Sequence, residues 1–122
     1  AKASWVNDHE LKVEPQPYCS IPYNIENDWS AASYWLEIAA LAKDAEINLP
    51  GLFKHSYQGD SKMAENFGLL GAIPICKDNN VTIQKPRFVD ISMATHMICD
   101  FTNQPDLAQT FVVTYALQNI TF

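Results

Sequence analysis

From Ser30 to Ile47 the chain carries no Gly or Pro, is rich in Ala, Leu and Glu, and ends at Asn48-Leu49-Pro50-Gly51. Asn27, Asp28 and Ser30 each supply a side chain suited to capping a helix start. A helix over Ser30–Ile47 is therefore the strongest expectation. At 100° per residue, Ser30, Ser33, Glu37, Asp44 and Asn48 fall on one narrow stripe, with Lys43 and Glu46 off it near the C-terminal end. Tyr34, Trp35, Leu36, Ile38, Leu41 and the alanines cover the rest of the circumference. A surface helix shows a broad polar face, so a thin one predicts a helix buried nearly all round, with Ile38 and Leu41 inside.

The remaining elements are shorter. His9–Glu14 alternates as a strand and runs into a segment broken by Pro15, Pro17 and Pro22. Ser61–Phe67 suits a short helix stopped by Gly68. Leu69–Cys76 is an apolar run, Lys77-Asp78-Asn79-Asn80 a turn, and Val81–Gln84 a strand before Pro86. From Val89 to Phe101, the residues Val89, Ile91, Met93, Met97, Cys99 and Phe101 share one parity with Thr95. Asp90, Ser92, Ala94, His96, Asp100 and Thr102 share the other, which predicts a long strand with Cys99 inward and His96 outward. Such a strand reaches ~40 Å against ~27 Å for the helix, so it must curve or bulge around it. After a turn at Asn103–Asp106, Phe111, Val113, Tyr115 and Leu117 alternate as a last strand.

The expected architecture is thus one domain over residues 1–122, of α+β class. It is a curved antiparallel sheet of about five strands wrapped around one long, mostly buried helix. Ile21-Pro22-Tyr23-Asn24-Ile25-Glu26-Asn27 leads into that helix, and Val81-Thr82-Ile83-Gln84-Lys85-Pro86 precedes the long strand. In these passages, and in the order of elements over residues 9–122, the chain resembles the hot-dog fold. Asp28-Trp29-Ser30 stands where many members of that superfamily carry a His-Gly-Gly type loop. Cystatin-like or cone-shaped α+β folds and a pilin-type head group also place a sheet over a helix.

Composition limits the function. Eight Lys+Arg against fourteen Asp+Glu give a net charge of −6, which excludes a phosphate-neutralising surface for nucleic acid. No apolar run reaches the ~18 residues of a membrane span. Three cysteines (Cys19, Cys76 and Cys99) do not make a disulfide framework. The two sequons, at Asn80 and Asn119, are about what chance supplies. The chain starts at Ala1, which fits a processed export product or a trimmed one.

Candidate chemistry centres on the helix. Glu37 lies in mid-helix between Leu36 and Ile38, where partial burial raises a carboxyl pKa towards general-base work. Ser33, one turn earlier, can hydrogen-bond a substrate carbonyl, and the helix start offers N–H groups to an oxyanion. His55, in a polar loop, is the next candidate base. A zinc set from Cys76, His96 and Cys99 fails because the parity puts Cys99 and His96 on opposite faces. No cofactor or metal is expected.

The hot-dog resemblance implies a hydrolase or dehydratase acting on an acyl thioester, with a carboxylate from the central helix as base. It also implies a homo-oligomer with the site at the subunit interface. An enzyme of this kind would be cytoplasmic. The alternative is a non-catalytic exported binding or assembly subunit of a filament, capsid or surface, extracellular or periplasmic. Its strand Phe111–Phe122 would pair with a neighbour.

Overall fold

The computed structural model describes residues 1–88, 90–91 and 96–122. It opens with a hairpin, β1 (Ala3–Asn7) antiparallel to β2 (Glu10–Val13), with an irregularity in register between Trp5 and Asn7. The Asn7 side chain closes the turn by accepting the His9 N–H at 2.9 Å. Every residue of both strands is exposed. The proline-bearing stretch that follows has no regular secondary structure up to Asp28.

Helix α1 (Trp29–Leu41) starts where Asp28 caps it, its carboxylate accepting the Ser30 N–H at 2.9 Å. It is 13 residues long rather than the eighteen expected, because its C-terminal end is set by tertiary contacts. In a longer helix the Ala40 carbonyl would accept an N–H four residues on. Here it accepts from the Lys85 ammonium and, at 2.8 Å, from the Gln118 amide. Ala42 turns extended (ψ 160), and residues 43–47, expected to be helical, lead into a strand instead.

That strand, β3 (Ala45–Pro50), lies in a three-stranded antiparallel sheet with β4 (Ile73–Lys77) and β5 (Asn80–Lys85), in the order β3-β5-β4. The turn between β4 and β5 uses Asp78 at φ 52, a left-handed conformation that Asp tolerates. Val81 and Ile83 of β5 are fully buried, and Ala45, Ile47 and Leu49 of β3 pack beside them. This face is covered by helices. α1 packs on β3 and β5, α2 (Ala64–Leu69) packs on β4, and α3 (Ala108–Leu117) lies against α1. Phe67 and Phe111 meet at 4.2 Å between ring centroids in the centre of the core, with Phe101 and Tyr115 around Phe111.

Two further expectations are overturned. The sheet has three strands and a separate two-stranded hairpin, not about five strands wrapped round one helix, so the hot-dog-like, cystatin-like and pilin-type arrangements all fail. The stretch expected as the last strand is helix α3. Phe111, Val113, Tyr115 and Leu117 do alternate, but the buried set is Leu107, Thr110, Phe111, Thr114 and Tyr115, which is helical spacing. Val89 and residues 92–95 of the expected long strand lie outside the described residues. In its remaining part, Met97, Cys99 and Phe101 pack on the core while His96, Ile98 and Asp100 face out. The alternation is present there without a ladder; His96 makes only an isolated parallel bridge to Thr121.

Candidate functional site

Polar side chains gather at one end of the helix layer, where α1 begins and β3 ends. Glu26, two residues before the cap, is the hub. Its carboxylate accepts from the Trp29 indole N–H at 2.7 Å, the Phe53 N–H at 2.8 Å and the Ser56 hydroxyl at 2.6 Å. Partial burial pushes the Glu26 carboxyl up, but these donors together with Gln58 outweigh it and leave its pKa below the usual value. Asn27 donates its amide to the Pro50 carbonyl at 2.8 Å, and its N–H bonds the Gly51 carbonyl at the same distance. Gln58 closes the ring by accepting the Trp29 N–H at 2.9 Å and donating to the Asn27 carbonyl at 2.8 Å. Ser30 bonds Asp60 from the first turn of α1.

The loop from Phe53 to Asp60 is therefore tied to the helix start by side chains rather than by regular structure. The other loop, ahead of α3, reaches the same end. A Cβ on Gly59 would lie 3.6 Å from the Asn103 carbonyl, and a 3-10 turn (Pro105–Leu107) carrying Asp106 then leads into α3. Beside the first loop opens a cleft of about 570 Å³ lined by Lys54, His55, Tyr57, Lys62 and Glu65 with two serines. Two of the chain's eight Lys+Arg and one of its three His share this cleft.

Of the three residues singled out from sequence, Ser33 and Glu37 stand one turn apart on α1 and His55 lies on the loop beside the cleft. His55 is exposed at the cleft. Ser33 is 2% exposed and donates its hydroxyl to the Ser30 carbonyl at 2.7 Å, inside α1. Glu37 is half-buried one turn further along, and burial raises its carboxyl. The thin polar stripe is thus not the outward side of α1. Cys99 meets the Tyr115 hydroxyl at 3.1 Å, and Cys76 sits apart on β4. Among the described residues no group of three His, Cys, Asp or Glu could hold a metal ion, and no helix is long and apolar enough to cross a membrane.

Sequence reasoning does not single out Glu26 and Gln58, which organise this end together with Asn27. The signal lies in Glu26-Asn27-Asp28 before the helix and in Pro50-Gly51 at the end of β3.

The chain belongs to the EPSP synthase family, whose model matches residues 4–121. The family's description is EPSP synthase (3-phosphoshikimate 1-carboxyvinyltransferase). The chain is 48% identical over all 122 residues to a 3-phosphoshikimate 1-carboxyvinyltransferase of Bacteroides fragilis, and equally to that of strain YCH46 of the same species. It is 35% identical over 101 residues to the enzyme of the same name from Methanococcus vannielii, a match covering 80% of this chain and 21% of that protein. The chain spans 29% of the length of the two Bacteroides fragilis relatives. No solved structure matches it. This membership overturns the hot-dog resemblance, and with it both the acyl-thioester chemistry and the exported-subunit alternative.

Proposed function

We propose that this chain forms part of a 3-phosphoshikimate 1-carboxyvinyltransferase, an enzyme that places a carboxyvinyl group on 3-phosphoshikimate. The observation that carries this reading is the 48% identity to enzymes of that name over all 122 residues. The acceptor bears a phosphate and a carboxylate, so its site needs cations and N–H or O–H donors. In a chain of net charge −6 those groups must be concentrated to be useful. The polar end of the helix layer is where Lys54, His55, Tyr57 and Lys62 are brought together. This end is the part of the chain we assign to the anionic substrate, with the rest of the site supplied from outside the matched segment. Of the residues singled out from sequence, the reading retains His55 and gives Glu37 and Ser33 no catalytic role.

The test uses the Bacteroides fragilis relative with its matching segment replaced by this chain. Lys54→Ala and Lys62→Ala together should raise the KM for 3-phosphoshikimate about tenfold, the effect of losing ~1.4 kcal/mol of binding, without moving the melting temperature. Lys43→Ala, just past the far end of α1, should change neither. Equal effects from the two ends would reject the assignment.

A further inference from the structure

Lys54 and His55 are the exposed corner of a turn between half-buried Phe53 and Ser56, and both line the cleft. Among the described residues no backbone hydrogen bond runs from the Ser56 N–H to the Phe53 carbonyl, so the turn does not close itself. One carboxylate from a distant part of the chain closes it instead. Oε1 of Glu26 accepts the Phe53 N–H at 2.8 Å on one side of the Lys54-His55 pair, and Oε2 accepts the Ser56 hydroxyl at 2.6 Å on the other. The Ser56 oxygen in turn accepts the Gln58 N–H at 2.9 Å, which carries the hold past Tyr57.

Glu26 is itself fixed from behind. Every residue from Ile21 to Asp28 is exposed except Glu26, which is half-buried. The indole N–H of Trp29, a residue only 3% exposed, donates to its Oε1 at 2.7 Å. The contacts thus run from the buried Trp29 through Glu26 to both flanks of Lys54-His55. A cation on a flexible stem binds an anion well only when the backbone beneath it is already in place, because ordering it on binding costs affinity.

We infer that Glu26 is a positioning residue for the anionic substrate, acting by holding Lys54 and His55 at the cleft rather than by touching the substrate. The inference rests on the assignment of this cleft to 3-phosphoshikimate. The sign of the effect separates it from two other roles. As a bare charge, Glu26 would repel an anion in the neighbouring cleft, so its removal would tighten binding. As a purely structural group it would change the melting temperature and leave binding alone. As a positioning residue, its removal weakens binding although a negative charge is lost.

The same replacement enzyme tests this with Glu26→Gln, assayed well below its melting temperature. KM for 3-phosphoshikimate should rise at least about threefold with kcat within about twofold, because the binding lost is common to ground and transition states. In a background of Lys54→Ala with His55→Ala, the same change should move KM by less than about 1.5-fold, because groups that act through one another do not add. Glu26→Asp keeps the charge but shortens the reach by one methylene, and should also raise KM. With Lys54→Ala and His55→Ala raising KM, a KM that falls or holds in Glu26→Gln would overturn the inference, as would an equal rise in both backgrounds. Amide hydrogen exchange over residues 53–56 without substrate keeps the inference apart from the functional reading. It should quicken at least about tenfold in Glu26→Gln, and unaltered exchange would overturn the hold on the loop. Quickened exchange with a normal KM in the Lys54→Ala, His55→Ala enzyme would leave Glu26 holding the loop and reject the substrate assignment alone.

Discussion

Gly51 lies so close to Asn27 that a Cβ built on it would stand 2.7 Å from the Asn27 amide nitrogen. The contact is part of the junction between the end of β3 and the start of α1, since the Asn27 N–H bonds the Gly51 carbonyl and its side chain bonds the Pro50 carbonyl. Gly51 also holds φ at +77, in the left-handed region. Gly51→Ala should therefore lower unfolding stability by about 1–3 kcal/mol in a urea melt, with the strained backbone and the displaced amide both contributing. Gly59→Ala meets only contacts of 3.6 Å or more and should cost less.

Glu26 gives the polar end a pH signature. Its folded pKa is lowered, so the stabilisation it provides is full above the ordinary carboxylate pKa and is lost as pH falls through the folded value. Glu26→Gln should cost about 1.5–3 kcal/mol at pH 7, because three donors lose a charged acceptor. The difference between wild type and variant should shrink from about pH 5 downward. A difference that stays constant to pH 3 would show that the charge of Glu26 is not what holds the loop.

The three cysteines are free and differ in surroundings. Cys19 is exposed. Cys76 is half-buried, and its burial, with Glu65 opposing the pull of Lys54, pushes the thiol pKa up. Cys99 packs on the core against the Tyr115 hydroxyl. Alkylation of the native protein should therefore modify Cys19 at least ~10-fold faster than Cys76 or Cys99. Rapid reaction at Cys99 would contradict the inward side that both its alternation with His96 and its contact with Tyr115 assign to it.

Much of the local structure was legible in the sequence because local chemistry sets it. The Asp28 cap, the Lys77–Asn80 turn and the strand after it are written in adjacent residues. The end of α1 was not legible, because Ala42-Lys43-Asp44 holds no breaker. The helix stops where Lys85 and Gln118, distant in the chain, take the Ala40 carbonyl. The α3 segment reads as a strand because Phe111, Val113, Tyr115 and Leu117 alternate, and only packing against Phe67 and α1 decides for a helix. The breadth of the apolar surface on α1 was visible in Tyr34, Trp35, Ile38 and Leu41. What those residues meet was not visible, since this chain leaves their side of the helix uncovered. The candidate site was harder still. Glu26, Gln58 and Asp60 come together only through the fold, and none stands in a spacing that names a reaction.

The most direct test of the account is the turnover of the Bacteroides fragilis enzyme carrying this chain in place of its own matching segment, assayed for carboxyvinyl transfer to 3-phosphoshikimate. With 48% identity over the exchanged region, kcat/KM should stay within about tenfold of the parent, a change of no more than ~1.4 kcal/mol in transition-state stabilisation. A replacement enzyme that melts at the parent's temperature but transfers no carboxyvinyl group would contradict the account.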